Sequence, residues 1–207
     1  MNSYEQNYFN SIKESLGESF CQISEAQVDY ETFFSELVNK AKKISTLGGR
    51  IFFFGNGASA AFSNHMALDW SKNGGVLALS LSDSALLTAL SNDYSYEMAL
   101  VEFLKINTVT KEDLIVTISS SGNSKNIINV LDYCNNLEID TFGLSGLKKD
   151  NLTVDRAKYS LYVPRKTYGL VECIHQIFLH LWLDKYMNIQ EWSRESYQNM
   201  DASNFNL

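Results

Sequence analysis

From residue 48 onward, short apolar runs alternate with segments in which apolar residues recur every three or four positions. The strand-like runs lie at 51–54, 76–81, 113–118, 139–144 and 158–163. The helix-like segments lie at 57–72, 83–91, 95–105, 124–136 and 168–187. Such alternation is typical of a parallel sheet with helices on both faces. We therefore predict an α/β fold, with a doubly wound five-stranded parallel sheet in a domain spanning residues 48–188.

The first 47 residues show helical periodicity instead. Apolar side chains recur at helical spacing in two stretches: Tyr8, Phe9, Ile12, Leu16 and Phe20, then Phe33, Phe34, Leu37 and Ala41. We predict an N-terminal helical hairpin in residues 1–47, belonging to the same domain, with the second helix starting near residues 24–27. This hairpin either packs partly on another subunit or covers one sheet edge. The tail at 189–207 is polar with a few aromatic residues and yields no structural prediction.

A serine-rich loop follows the third strand-like run. Residues 119–124 read Ser-Ser-Ser-Gly-Asn-Ser and lead directly into a helix-like segment. The first N–H groups of a helix have no partner within the helix, and the helix dipole favours an anion there. The loop is therefore either a phosphate site or an ordinary turn and helix cap.

A second polar loop, residues 55–59, follows the first strand-like run with the sequence Gly-Asn-Gly-Ala-Ser. It lacks the third glycine of a dinucleotide-binding fingerprint and the Gly-Lys-Ser/Thr of a P-loop. Ligands of open α/β sheets bind beyond the carboxyl ends of the strands, where both loops are expected. Two such loops together favour a phosphosugar or a nucleotide as ligand.

The three histidines lie on two helix-like segments, each with a carboxylate in register. His65 and Asp69 are spaced i, i+4, so that both project from one face of their helix. On the last helix, which also carries His175, Glu172 and His180 are eight residues apart, or about 80° in projection. These pairs predict either a divalent-metal site, for which zinc suits imidazole and carboxylate ligands, or a metal-free acid and base. The alternative is that each histidine is structural.

Composition narrows the class of protein. The chain has 207 residues, 45% of them hydrophobic, which is enough for one core and one domain. A net charge of −7 argues against non-specific nucleic-acid binding. Three distant cysteines without a CxxC pair fit a reducing compartment. The start of the chain has no signal-peptide core, and no apolar run approaches the ~20 residues of a membrane span, so we expect a cytoplasmic protein.

Several motifs in order resemble the sugar isomerase (SIS) domain family, and within it the phosphoheptose (sedoheptulose 7-phosphate) isomerases. They are FFFGNGASAAFSNHMALD, TALSNDYSYE, ISSSGNSKNIINVL, FGLSG and VECIHQIFLH. The resemblance runs from about residue 30 to residue 187. It implies a single SIS domain and a homotetramer whose active sites lie at subunit interfaces, built partly from the N-terminal helices.

The resemblance also implies roles for particular residues. The expected substrate contacts are Asn56, Gly57, Ser59, Asp93, Ser119, Ser120, Ser121, Ser124 and Glu172, with the serines on the phosphate and Asn56 and Asp93 near the sugar. The expected metal ligands are His65, Asp69, Glu172 and His180, for one zinc ion per subunit. Asp69, Glu172 and His180 are the expected catalytic residues. By spacing alone, Asp93 could equally cap the following helix.

Two positions depart from the pattern of the heptose isomerases. Those enzymes typically carry Glu where this chain has Asp69, and Gln where it has Glu172. An aspartate is shorter by one methylene, so its carboxylate reaches about 1.5 Å less far. Glu172 partly compensates by adding a second carboxylate. The two changes either preserve the chemistry in a rearranged site or indicate a related substrate.

The resemblance therefore implies an aldose–ketose isomerase acting on a sugar phosphate. The expected reaction converts sedoheptulose 7-phosphate to D-glycero-D-manno-heptose 7-phosphate, for heptose synthesis in lipopolysaccharide or capsule. One alternative is an isomerase of another sugar phosphate from a surface-polysaccharide pathway. The other is a non-catalytic SIS-domain protein that binds a phosphosugar or takes part in an assembly.

Overall fold

The computed structural model describes residues 3–190 and Trp192, and these residues contain one mixed sheet of seven strands. The strands are β1 (Phe20–Ile23), β2 (Ala26–Val28), β3 (Ile51–Gly55), β4 (Ala78–Ser80), β5 (Leu114–Ser119), β6 (Asp140–Gly146) and β7 (Tyr159–Val163). Their order is β2-β1-β7-β6-β5-β3-β4. The five predicted strands, β3 to β7, are all present and pair in parallel. The α/β prediction is confirmed, with two short antiparallel strands added at one edge.

Helices cover both faces of this sheet. They are α1 (Tyr4–Glu18), α2 (Tyr30–Leu47), α3 (Ala58–Lys72), α4 (Ser84–Asp93), α5 (Ala99–Ile106), α6 (Lys125–Asn136), α7 (Leu152–Arg156) and α8 (Tyr168–Met187). Residues of α2, α3 and α8 form the core on one face, and residues of α4, α5 and α6 form the core on the other. No helix among the described residues is long and apolar enough to cross a membrane.

The N-terminal segment differs from the prediction between its two helices. After α1 the backbone turns extended at Ser19, and Phe20 begins β1, which pairs antiparallel with β7. Residues 24–27, the predicted start of the second helix, instead form the turn of the β1–β2 hairpin and its first strand residues. The second helix starts after Asp29, whose carboxylate accepts a hydrogen bond from the Thr32 N–H at 2.7 Å. The two predicted helices are present, but a β-hairpin separates them.

Two tryptophans hold α3 against α8. Trp70 of α3 and Trp182 of α8 are fully buried, and their ring centroids lie 4.3 Å apart. Phe142 of β6 meets Trp182 edge-on at 5.7 Å. Aromatic pairs of this kind contribute about 0.5–1.5 kcal/mol beyond the area they bury. This packing fixes the relative position of the side chains that the two helices carry into the candidate site.

Candidate functional site

The two polar loops lie side by side at the carboxyl edge of the sheet. The first follows β3 and the second follows β5, and these strands are direct neighbours, with Gly55 opposite Ile118. After β3 the chain moves to β4 on one side, and it then returns to β5 on the other side. The loops therefore flank a point where the strand order reverses, the usual place for a ligand in open α/β sheets.

The serine loop presents hydroxyl groups at the start of α6. Its turn closes with a hydrogen bond from the Gly122 N–H to the Ser119 carbonyl at 2.8 Å. The Oγ atoms of Ser119 and Ser124 lie 3.3 Å apart, and Ser124 occupies the helix cap without using its side chain to cap the helix. The Ser120 hydroxyl is buried with no hydrogen-bond partner among the described residues. Ser121 Oγ accepts from the Asn123 N–H at 3.3 Å. This arrangement suits an anion, because hydroxyls and first-turn amides are left to receive it.

Helix α7, which the sequence pattern did not predict, holds the serine loop in place through hydrogen bonds. The N–H and the hydroxyl of Thr153 both donate to the Gly122 carbonyl at 3.0 Å. The Leu152 N–H donates to Asn123 Oδ1 at 2.9 Å. At five residues, α7 is too short for periodicity to reveal it.

The first loop turns sharply into α3. Gly57 has a φ of 57°, and a Cβ on Gly55 would lie 2.6 Å from backbone atoms of Ser59. The Ser59 N–H donates to the Asn56 carbonyl at 3.1 Å, and the Ser59 side chain is buried at the start of the helix. These glycines allow the strand and the helix to approach closely enough to form a compact cradle.

A reciprocal pair of amide hydrogen bonds joins the two loops. Asn56 Nδ2 donates to Asn126 Oδ1 at 3.0 Å, and Asn126 Nδ2 donates to Asn56 Oδ1 at 2.8 Å. The Tyr96 hydroxyl also donates to Asn56 Oδ1, at 2.7 Å. The Asn56 side chain, expected near the sugar, thus links the β3 loop to α6. Sequence reasoning missed Asn126 and Tyr96, because they lie 70 and 40 positions from Asn56 and no local spacing relates them.

Asp93 lies apart from these contacts. It is the last residue of α4 and is exposed, and its Oδ1 accepts a hydrogen bond from Asn92 Nδ2 at 2.9 Å. Within residues 3–190, no hydrogen bond or ion pair joins Asp93 to either loop. The N-cap of the following helix, α5, is Met98, so Asp93 does not cap that helix. The contact of Asp93 with a sugar stays a prediction.

Three of the four predicted metal ligands come together between α3 and α8. The carboxylate Oδ2 of Asp69 lies 3.2 Å from His65 Nε2 and 4.0 Å from His180 Nδ1. The two imidazole rings are 5.2 Å apart between centroids. One ligand atom from each of the three residues lies within 4.8 Å of the other two. Asp69 Oδ1 also accepts from Asn73 Nδ2 at 3.3 Å, which steadies the carboxylate.

Glu172 does not belong to this cluster of His65, Asp69 and His180. Eight residues separate Glu172 from His180, and at 1.5 Å per residue they lie about 12 Å apart along α8. Within this single chain the two side chains therefore do not meet at one point, and the role of Glu172 stays a prediction. Gln176 occupies the position one turn before His180, and its Nε2 lies 2.8 Å from His180 Nε2. The same i, i+4 spacing that identified His65 and Asp69 could have identified Gln176.

The cluster suits a zinc ion by the chemistry of its donors. Two imidazoles and one carboxylate match the three protein ligands of catalytic zinc sites, which keep a further position open. The side chains of His65 and His180 are 47% and 42% exposed, so that a ligand can reach them.

A wide groove lies beside His180, between α2 and α8. Its volume is about 1480 Å³, and its lining includes Tyr30, Phe34, Phe62, Gln176, Leu181 and Trp192. The neighbouring α1 exposes further aromatic surface, with Tyr4 and Phe9 being 78% and 67% exposed. This single chain therefore leaves much apolar surface uncovered, in the groove and on α1.

His175 is a structural residue. It is fully buried, and its Nε2 lies 3.0 Å from the Ser145 carbonyl, which accepts the ring proton. Burial lowers the pKa of His175 to about 4, although the hydrogen bond to Ser145 opposes this shift. His175 is thus held neutral in the folded chain.

Acid should therefore destabilise the protein through His175. A histidine in the unfolded chain has a pKa of about 6.5, so the folded pKa is the lower one. The stability that the neutral ring contributes is present above pH 6.5 and is lost as the pH falls toward 4. Between pH 7 and pH 4.5 this loss should amount to about 2–3 kcal/mol.

The matched variant is His175→Gln, which retains an N–H donor but cannot titrate. Urea unfolding at both pH values measures the free energy of unfolding of each protein. The stability of the wild type should fall by about 2–3 kcal/mol more than that of the variant. Equal losses would show that His175 is not the group responsible.

Comparisons of sequence and of structure with known proteins point to the same family. The SIS domain family profile matches residues 30–146. Phosphoheptose isomerase 2 of Campylobacter jejuni is 32% identical over 140 residues, covering 65% of this chain and 69% of the relative. The phosphoheptose isomerase of Aliarcobacter butzleri is 34% identical over 158 residues, covering 70% and 81%. The structure of phosphoheptose isomerase GmhA from Neisseria gonorrhoeae superposes with a TM-score of 0.76 at 21% identity, covering 90% of this chain and 96% of that one. This last similarity shows a shared fold.

Proposed function

Because this chain belongs to the SIS domain family, we propose that it is a phosphoheptose isomerase, converting sedoheptulose 7-phosphate to D-glycero-D-manno-heptose 7-phosphate. The proposal includes a role in heptose synthesis for lipopolysaccharide or capsule. The observation that carries it is the cluster of His65, Asp69 and His180, which offers acid–base groups within 4.8 Å of one another. It lies in a chain whose two polar loops form an anion cradle.

The phosphate is anchored by the serine loop and the start of α3, through Gly57, Ser59, Ser119, Ser120, Ser121 and Ser124. These groups touch a part of the substrate that does not react. Their binding energy serves to hold the far end of the open-chain sugar in a reactive position. A loop supported by α7 and tied to its neighbour by Asn56 is suited to this task, because it need not reorganise on binding.

Proton transfer falls to Asp69 and His180. Asp69 removes a proton from C1 of the ketose and, after the enediol has formed, returns it to C2. His180 moves a proton from the hydroxyl on C1 to the oxygen on C2, so that the carbonyl shifts to C1. When bound by His65, Asp69 and His180, a zinc ion would supply a Lewis acid that polarises the sugar carbonyl.

Glu172 has a more restricted part in this proposal. It is half-buried on α8, about two turns before His180. Glu172 can contact the substrate or act as a base if a bound sugar spans those two turns. Any of its expected roles, including metal ligation, is also possible if another subunit brings Glu172 to a different cluster. Asp69 is therefore the first candidate for the base.

The assembly is proposed to be a homotetramer with active sites at subunit interfaces. The groove beside His180 and the exposed aromatic residues of α1 support this, since monomeric proteins rarely leave large apolar patches uncovered. Sedimentation velocity on the purified protein should give four times the chain mass, and a monomer would contradict the proposal.

We also propose a cytoplasmic location. All three cysteines are free and Cys173 is exposed, which suits a reducing compartment.

The function is tested by incubating the protein with sedoheptulose 7-phosphate, with zinc in one arm and a chelator in the other. The protein should be produced in a host lacking its own phosphoheptose isomerase. Aldose should appear by NMR in the zinc arm, and an Asp69→Asn protein prepared in parallel should show none. No aldose in either arm would exclude this substrate. Zinc content of the untagged protein, measured by mass spectrometry, tests the cofactor.

The second candidate substrate is another ketose phosphate. Asp69 and Glu172, which replace the glutamate and glutamine typical of the heptose isomerases, favour it because they change the reach and charge of the site. A panel of ketose phosphates of different chain length, assayed in the same way, distinguishes the two. Faster turnover of a shorter sugar would replace the heptose assignment while retaining the isomerase.

A further inference from the structure

Gln176 contacts His180 on the side that faces away from Asp69. The amide nitrogen of Gln176 lies 2.8 Å from His180 Nε2, and the other ring nitrogen, Nδ1, lies 4.0 Å from Asp69 Oδ2. An amide nitrogen can only donate, so His180 Nε2 accepts this hydrogen bond. A neutral imidazole that accepts at Nε2 carries its proton on Nδ1. The Nδ1–H group of His180 therefore points into the cluster of His65, Asp69 and His180.

The surroundings of the Gln176 amide favour this orientation. Its Nε2 also lies 3.7 Å from Met66 Sδ, so that both of its N–H groups have an acceptor. Its Oε1 is buried without a partner among the described residues. Turning the amide by 180° would place the oxygen beside both His180 Nε2 and the sulfur, and would leave two donors where Oε1 is now buried. One unpaired acceptor costs less than two unpaired donors.

We propose that Gln176 is a positioning residue that fixes the tautomer of His180, with the proton on Nδ1 and facing Asp69. This inference deepens the proposed function and rests on it in one respect: the proton so placed is the one that His180 exchanges with the substrate oxygens. Ligation of a metal through Nδ1 requires this proton to leave that nitrogen.

The tautomer is measurable without any turnover. The full-length, metal-free protein is labelled with ¹⁵N-histidine, and long-range ¹H–¹⁵N correlation spectra report which ring nitrogen of each histidine carries the proton. The chain has three histidines, so there are three ring systems to assign, and a His180→Asn protein identifies the relevant one. The wild type should show a protonated Nδ1 and an unprotonated Nε2 at His180.

Two variants of Gln176 should change that pattern in different ways. Gln176→Met keeps the length of the side chain but removes the donor, so the Nδ1–H preference should be lost. Gln176→Glu supplies only acceptor oxygens and should move the proton to Nε2. Gln27→Met, the same chemical change at an exposed strand position, should leave the spectrum of His180 unaltered. A wild-type His180 protonated on Nε2, or an unchanged tautomer in Gln176→Met, would overturn the proposal.

Kinetics separate this inference from the proposed function. In Gln176→Met, kcat should fall about tenfold while KM changes less than about twofold, because the phosphate contacts are intact. Circular dichroism should show that the variant is folded. If the wild type isomerises the sugar but the spectra contradict the tautomer, only the role of Gln176 fails. If the spectra agree but no sugar phosphate is converted, only the proposed function fails.

Discussion

The His180→Asn variant is expected to lose about 10³-fold in kcat toward sedoheptulose 7-phosphate, within the range that a general acid–base group supplies. Asparagine is polar and can form hydrogen bonds, but it cannot take up and release a proton. KM should change little, because the phosphate is held by the loops after β3 and β5. Initial rates over a range of substrate concentrations measure both constants.

The fold should tolerate this change. His180 is 42% exposed and its helix is anchored by the buried Trp182 two residues later, so the substitution creates no core cavity. The free energy of unfolding should stay within about 0.5 kcal/mol of the wild type at neutral pH. His175→Gln on the same helix is the matched control, and its kcat should remain near that of the wild type. Retention of more than a tenth of kcat by His180→Asn would remove His180 from the mechanism.

Gly122→Ala is expected to destabilise the protein by about 2–5 kcal/mol and to weaken binding of the sugar phosphate. Gly122 has a φ of 66°, where a side chain costs about 1–2 kcal/mol. An added Cβ would also lie 2.1 Å from Oδ1 of Asn151, a buried residue whose side chain caps α7. Overpacking of this kind adds about 1–3 kcal/mol. Urea unfolding measures the destabilisation.

The Cβ added at Gly122 should also displace the serine loop. This should raise KM about tenfold, which corresponds to about 1.4 kcal/mol of lost phosphate binding. Gly17→Ala provides the matched control, because nothing lies within 4 Å of the added Cβ and the residue is helical. That change should leave KM unaltered and stabilise the protein by about 0.5–1 kcal/mol. If Gly122→Ala had the stability and the KM of the wild type, the conformation of the serine loop would not depend on this glycine.

Periodicity predicted the parallel part of the sheet well and its antiparallel edge not at all. The run at 113–118 corresponds to β5 (Leu114–Ser119), because a strand buried on both faces is mostly apolar. Phe20 continues the helical spacing of Leu16, and this pattern predicts a helix there. Its conformation is set instead by pairing with Tyr162, whose ring centroid lies 5.2 Å away. No local pattern contains that partner, and a four-residue strand is too short to show alternation.

The candidate site divides in the same way between local and distant contacts. The approach of His65 to Asp69 followed from their spacing on one helix. Their meeting with His180 depends on how α3 packs against α8, which spacing does not determine. The link between Asn56 and Asn126 likewise exists only in the folded sheet. The resemblance to a family therefore identified more of the site than the residues alone did.

The pairing of β1 with β7 has a consequence for folding during synthesis of the chain. Phe20 leaves the ribosome about 140 residues before its partner Tyr162, roughly 7–30 s earlier at ordinary rates of translation. During that interval β1 can pair only with the three residues of β2, so its other edge stays open to a foreign strand. The brevity of both strands limits that hazard. The β1–β2 hairpin can join the rest of the sheet only after β7 has been synthesised.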